Sequence, residues 1–440
     1  GIEWLGEIPA TWTLKPLKHI SQFIVSNVDK KLNDDEIIVR LCNYSDVYNN
    51  DEISNDLDFM KGSVKPSEFE KFKLQEGDVI ITKDSETPDD IAIPAYVPVN
   101  YDDIVCGYHL AIIRNNGSMI GKYVYYLFKS YRFNQQFTVS ARGITRFGLS
   151  QSAIANSIIG IPSTSEQTAI ANFLDNKTQQ IDDLIERKKR LIELLKEERT
   201  AVINQAVTKG LDPNVPMKDS GIEWLGEMPE HWELTRLKFL VNDRLKYGAN
   251  ESAEEENPEH PRYIRITDFD GDGKLRDETF KSLPPEVAEE YLLEEGDVLF
   301  ARSGATVGKT FIFKDYAGIA CFAGYLIKAS PNQSKLNSVF LYNVSLSNYY
   351  QNWKNSIFIQ ATIQNIGADK YQNLLIPTPP LDEQIILLKN IKELASDIDT
   401  MVGKLNQEIT FLNEYKSSLI NEAVTGKIDV RDYHIKEISS

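Results

Sequence analysis

Cysteine is scarce: Cys42, Cys106 and Cys321 serve 440 residues, and no two form a C-x-x-C pair. Disulfide stapling and a cysteine zinc site are therefore not expected. Long apolar runs are also missing. The longest uncharged stretches are rich in Ser, Asn, Gln and Tyr, so none reads as a spanning helix, and no basic-then-apolar signal opens the chain. No membrane partner and a cytoplasmic location are expected. Positive charge falls short as well, with 48 Lys and Arg against 65 Asp and Glu, a net −17 that duplex DNA would on average repel. What remains is ordinary globular usage, 42% apolar and 26% charged, in a chain long enough for two or three domains.

The most informative absence is local. From Ile104 to Ser165 there are 62 residues without one Asp or Glu, where the overall share of 65 in 440 would place about nine. The stretch carries Arg114, Lys122, Lys129, Arg132, Arg142 and Arg146. From Tyr316 to Ala368 another 53 residues lack acid and carry Lys328, Lys335 and Lys354. Both stretches are rich in aromatics and amides. Arg, Lys, Asn and Gln supply the donors that read base edges, whereas carboxylates near phosphates cost affinity, so this composition suits DNA. The tyrosines of YVYYLFKSYRF are read as packing. Arg142, Thr145 and Arg146 in ARGITRFG sit among small polar neighbours and are better contact candidates, with Gln360, Thr362 and Gln364 around the corresponding place later in the chain.

That correspondence follows from a duplication. GIEWLGEIPATW (Gly1 to Trp12) recurs as GIEWLGEMPEHW (Gly221 to Trp232), with nine of twelve positions identical. LQEGDVI answers LEEGDVL, Ser165-Glu166-Gln167 answers Asp382-Glu383-Gln384, and INQAVTKG answers INEAVTGK. Because Gly1 falls within the motif while Met217-Lys-Asp-Ser220 precedes its second copy, a lead segment is expected before residue 1.

Each copy begins with short β-branched and aromatic stretches punctuated by turn residues, which predicts mixed strand and loop. Proline then marks a boundary at Pro162 and at Pro377, Pro379 and Pro380. Ser163 with Glu166 has capping-box spacing, so a long helix is predicted from about Glu166 to Lys209, and its counterpart from about Glu383 to Thr425. A heptad seam runs through Leu174, Ile181, Leu184, Leu191, Leu195 and Val202 in the first. In the second it runs through Ile391, Leu394, Ile398, Met401, Leu405, Leu412, Tyr415 and Leu419. The registers agree, so antiparallel pairing of the two helices is expected. The fold class is α+β: two mixed α/β recognition domains in pseudo-twofold tandem repeat, separated by two long antiparallel coiled-coil helices. The expected boundaries are 1–165 and 211–382 for the domains, 166–210 and 383–427 for the helices, and 428–440 for a tail.

Several apparent catalytic signals fail on inspection. Ser303 to Thr310, SGATVGKT, ends like a phosphate-binding loop, but Ser303 stands where a first glycine must be and FIFKDY after it is β-prone, so no helix N-terminus awaits a phosphate. A hairpin whose basic residues touch DNA backbone is expected instead, with Arg302 and Lys309, and Lys83 in the aligned ITKDS. Asp268, Asp270, Asp272 and Gly273 imitate a calcium loop that ends in Thr279 rather than a bidentate Glu, so a β-turn is favoured. Cys106 and His109 lie three apart without a second ligand pair. No adenine-methyltransferase motif is present. A noncatalytic recognition protein with no metal and no cofactor of its own is the expectation.

Together the repeated GIEWLGE-x-P-x-x-W opening, the L-x-EGD-[VI] strand, the proline-led Glu-Gln helix start and the AVTKG and AVTGK helix ends closely resemble the specificity subunits of type I restriction-modification enzymes, over nearly the whole chain. The resemblance implies two target recognition domains that each bind half of a split site in double-stranded DNA. It implies helices that fix the spacer and dock two methyltransferase subunits, and restriction subunits that join to cleave. S-adenosylmethionine and ATP would belong to those partners. The acidic balance, −9 over residues 211 to 382, points to partners for much of the phosphate affinity. Two alternatives stand beside it: an S-like subunit of a standalone methylating or nicking system without a restriction partner, and a two-headed scaffold that binds no DNA.

Overall fold

The computed structural model describes residues 5–270, 273–304, 306–359, 365–431 and 433. By its contacts the chain divides into two compact units, Gly1–Lys188 with Asn406–Ser440, and Lys189–Leu405.

The duplication extends to topology. In the first unit, strands Ser21–Val25, Leu110–Asn115, Val79–Thr82 and Pro94–Tyr96 form one antiparallel sheet in that order. In the second, Lys246–Tyr247, Leu326–Ala329, Val298–Ala301 and Thr310–Ile312 repeat it. Each unit adds one parallel pair, Ile37–Cys42 with Ile104–Cys106 and Arg262–Ile264 with Ala320–Phe322. Each also clips the strand that follows its repeated tryptophan against the strand before its long helix, Thr13–Pro16 on Ile158–Ile161 and Glu233–Arg236 on Leu375–Thr378. The central strands Val79–Thr82 and Val298–Ala301 are buried throughout, which is why they read as unbroken β-branched and apolar runs.

The repeated sequence landmarks are structural. In each EGD turn the glycine is left-handed (φ +84° at Gly77, +90° at Gly296), where a side chain would be strained. The following aspartate closes the turn. Asp78 accepts from the Gln75 amide at 2.9 Å and from Arg114 Nη2 at 2.7 Å. Asp297 accepts from the Glu294 amide at 2.8 Å and from Ser330 Oγ. The tryptophans anchor the openings: Trp232 is fully buried and donates from Nε1 to Glu383 at 3.1 Å. The glutamine of each helix start is buried, and its three hydrogen bonds repeat between copies. Gln167 takes the Ile120 amide and gives to the Ser118 and Pro162 carbonyls; Gln384 takes the Asn337 amide and gives to those of Lys335 and Pro379. Ser163 caps its helix as its spacing implies, accepting from the Glu166 amide at 3.3 Å.

The YVYYLFKSYRF tyrosines pack as expected. Tyr123, Tyr125 and Tyr126 are buried on helix Gly121–Lys129, while Tyr131 opens the next helix and is exposed. Phe128, Phe133 and Phe137 meet one another with centroids 5.0–5.4 Å apart.

The long helices span Thr164–Lys209 and Leu381–Val424. Within the first unit the pairing is antiparallel, for Lys188 meets Glu408 at 2.6 Å and Asp182 meets Lys416 at 2.5 Å. In the second unit Arg199 meets Asp399 at 3.3 Å. The heptad period holds, but half of the predicted seam is displaced by one residue. Leu174, Ile181, Ile391, Ile398 and Leu419 are buried, and Leu195, Val202, Leu405 and Leu412 half-buried. Leu184, Leu191, Leu394, Met401 and Tyr415 are instead exposed by 42–56%. Their places are taken by Ala171, Thr178, Ile185, Ile192, Arg199 and Ala206, and by Leu388, Ala395, Val402, Ile409, Lys416 and Ala423. Several of these are small, which lets the backbones approach; the large leucines just beside them drew the seam to the wrong side.

The three cysteines are free and buried, Cys42 and Cys106 in register on neighbouring strands. Burial pushes both of their thiols up and that of Cys321 to about 12, so the reactive thiolate is withheld. Iodoacetamide at pH 8 should label none of them in the folded protein and all three in guanidinium; intact-mass spectra showing native labelling at the rate of a free thiol would contradict this burial. No helix among the described residues is long and apolar enough to cross a membrane.

Candidate nucleic-acid interface

In the first unit the ARGITRFG segment is a closed finger. Its neck is a two-way backbone bridge, Arg142 amide to Gly148 carbonyl at 3.1 Å and the reverse at 2.9 Å. Phe147–Gly148 then pairs with Asp84–Ser85, and the Leu149 amide donates to the Lys83 carbonyl at 2.8 Å. The sheet thereby brings Lys83 beside Arg142, Thr145 and Arg146. The finger is open to solvent from Arg142 to Arg146, and Ile144 at its tip is 93% exposed.

The chemistry beneath the finger centres on Asp84. Its Oδ1 accepts from Arg146 Nε and Nη2 at 3.1 and 2.5 Å, and its Oδ2 lies 2.6 Å from His109 Nδ1. His109 holds a left-handed backbone, φ +72°, unusual for a residue with a side chain. Lys83 is half-buried, its Nζ 4.8 Å above the Tyr108 ring. Tyr44, Tyr48, Asp84, Ser85, Glu86, Asp90, Thr145 and Arg146 line a cavity of about 400 Å³.

The second unit builds the same place from different side chains. Val298–Ala301 and Thr310–Ile312 form the expected antiparallel hairpin, and a strand rather than a helix follows Lys309. Lys309 is exposed at the hairpin's end. Arg302, in contrast, lies across the Tyr247 ring at 4.7 Å with Nη1 3.5 Å from the Gly324 carbonyl. The Ile366 amide donates to the Arg302 carbonyl as the Leu149 amide does to that of Lys83. Gln360, Thr362 and Gln364 lie outside the described residues, as does Asp272 of the calcium-like loop. Asp268 of that loop is spent on Arg265, accepting from its amide at 2.7 Å and its Nη2 at 2.7 Å. A cavity of about 390 Å³, lined in part by Arg265, Thr267, Ser303 and Tyr325, sits at the corresponding position.

The acid-poor stretches are less basic in space than in sequence. Arg114 pairs with Asp78, Lys122 with Glu52 and Asp175, Lys129 with Asp51, and Arg146 with Asp84. Carboxylates distant in sequence fold back on these cations, which no count along the chain reveals. Arg132 and Arg142 show no ion pair within 4 Å among the described residues. Asp84, Tyr44, Tyr108 and His109, and Tyr247, Arg265 and Tyr325 in the second unit, were missed in the sequence. Only His109 had drawn notice, as a metal-ligand candidate.

A fold repeated twice, with an exposed finger or hairpin over the same strand ends, agrees with similarity to known proteins. The model of the type I restriction modification DNA specificity domain matches residues 9–194 and 229–410. The chain belongs to this family. It is 24% identical to the type I restriction enzyme StySPI specificity subunit of Salmonella potsdam, over 96% of this chain and 90% of that one. It is 23% identical to the putative type I restriction enzyme MjaX specificity subunit of Methanocaldococcus jannaschii, over 97% and 96%. Its fold is that of a chain solved in a study of type I R-M complex assembly and conformational transition (TM-score 0.72, 16% identity, covering 96% of this chain and all of that one). The HsdS subunit from Thermoanaerobacter tengcongensis also shares it (TM-score 0.54, 16% identity, covering 96% and 98%). The two family matches fall one in each copy of the repeat, so each unit carries one specificity domain.

Proposed function

We propose that this specificity subunit reads a split site in double-stranded DNA, one half with each recognition domain (residues 1–165 and 211–382). The long helices set the gap and dock two methyltransferase subunits, with restriction subunits joining the complex to cleave. The observation that carries this is the twofold repetition: one strand order, offered twice with different side chains, suits two half-sites of different sequence. The chain itself is assigned no catalysis. Adenine methylation with S-adenosylmethionine and ATP-driven cleavage fall to the partners.

Exposed Leu184 and Tyr415 in the first unit, and Leu191, Leu394 and Met401 in the second, support the docking role, because large apolar side chains outside the helix seam gain by being covered. Of the candidate contact residues, Arg142, Thr145, Arg146 and Lys309 are exposed, Lys83 is half-buried, and Arg302, also half-buried across the Tyr247 ring, keeps only a partial claim. Mapping methylated adenines in DNA from cells carrying this subunit with its methyltransferase should return a bipartite motif with a constant gap. Restriction of incoming phage DNA separates the full system from a standalone methylating one, and absence of any motif would return the scaffold alternative.

A further inference from the structure

We propose that Arg146, oriented by Asp84, reads a guanine in the half-site bound by the first unit; this rests on the DNA-reading function above. A guanidinium carries five N–H donors. Asp84 Oδ1 takes one from Nε and one from Nη2, at 3.1 and 2.5 Å. Nη2 also lies 3.4 Å from His109 Nδ1, which takes no hydrogen from it while donating to Asp84, so both Nη1 hydrogens and one on Nη2 remain, forming an edge with two parallel donors, the pattern that matches O6 and N7 of guanine in the major groove. Adenine sets a donor where guanine has O6, so it would lose one of the two bonds.

The buttress is itself held from two sides. An ionised carboxylate only accepts, so the 2.6 Å contact with Oδ2 places a proton on His109 Nδ1 and fixes the plane of the Asp84 carboxylate. The backbone of Asp84 is in register with Gly148 on the closing strand of the finger, and the Asp84 side chain is only 14% exposed. Arg146, at 56% side-chain exposure, is the accessible end of the chain His109–Asp84–Arg146. The surroundings decide between base and phosphate. Asp84, Glu86 and Asp90 line the cavity beside Arg146, and three carboxylates repel a phosphate group while tolerating the neutral edge of a base. Asp84 is thus a positioning residue: it sets which edge of Arg146 faces the groove and makes no contact with DNA.

The test is adenine-methylation mapping in cells that express the complete methyltransferase complex with wild-type, Arg146→Gln, Arg146→Lys or Asp84→Asn subunit, with assembly followed by size-exclusion chromatography. Arg146→Gln is expected to relax the preference for guanine at one position of one half-site by about ten- to a hundredfold and to leave the other half and the gap unchanged. Arg146→Lys, which keeps the charge but lacks the planar fork, should relax the same position. Asp84→Asn should do so more weakly, an outcome that a generally weakened fold would not confine to one base. An unchanged motif in the Arg146 variants, or uniform loss of methylation over all sequences from an assembled complex, overturns the guanine assignment while the function stands. A wild-type complex with no bipartite motif would instead refute the underlying function.

Discussion

Replacing Gln384 with leucine should lower the stability of the second unit by about 3–5 kcal/mol, although the two side chains are similar in size. The reason is that Gln384 serves the backbone. It is fully buried, its Oε1 accepts from the Asn337 amide at 2.8 Å, and its Nε2 donates to the carbonyls of Lys335 and Pro379 at 3.0 Å. Leucine retains the packing and leaves one donor and two acceptors without partners away from water, each costing about 1–3 kcal/mol. Glu in its place would keep the acceptor but lose both donors, and should fall on the same side. Gln167 holds the equivalent junction with bonds of 2.8, 3.1 and 3.4 Å, so Gln167→Leu should weaken the first unit in the same sense. Urea unfolding followed by circular dichroism measures the change; a loss below about 1 kcal/mol would show that the repeated glutamine is not what fastens each long helix to its domain.

The second large effect separates the two faces of the second long helix. Ile398 is 8% exposed in the seam, whereas Met401, only three residues on, is 52% exposed. Ile398→Glu forces a carboxylate between paired helices, and a loss of about 3 kcal/mol or more is expected from the desolvated charge together with the lost apolar contact. Met401→Glu should change stability by no more than about 0.5 kcal/mol, as surface substitutions do. Its effect should appear on the partner: if this exposed face of the helix docks methyltransferase subunits, co-purification with them weakens. Thermal melts of both variants, beside pull-downs with the methyltransferase, read the contrast. Comparable destabilisation by both variants would restore the seam expected from the sequence, in which both residues lie.

The seam shows where reading the chain succeeded and where it stopped. Its period, the start of each helix and the agreement between the two copies were all legible, because Ser163, the prolines and the Glu-Gln pairs act locally. Which side of the apolar stripe faces inward was not. Leu394 and Ala395 are neighbours, and the smaller is preferred where another helix comes close, a condition set by the partner and not by the residue. The same limit governs the interface. ARGITRFG was recognisable as an exposed basic loop, yet the partner of Arg146 is Asp84, 62 positions earlier, and the alignment of His109 behind it depends on strand pairing.

The amino-acid sequence alone determined that the protein is a duplication, that each copy ends in a long amphipathic helix, and to which family it belongs. These are carried by short-range signals repeated in order: caps, turn glycines, periodicity and motif spacing. Only the tertiary structure decided which cations stay open to a ligand, which leucines are covered, and which edge of Arg146 faces outward. Electrostatic pairing and close packing act between residues far apart along the chain, so they exist only once the fold has brought those residues together.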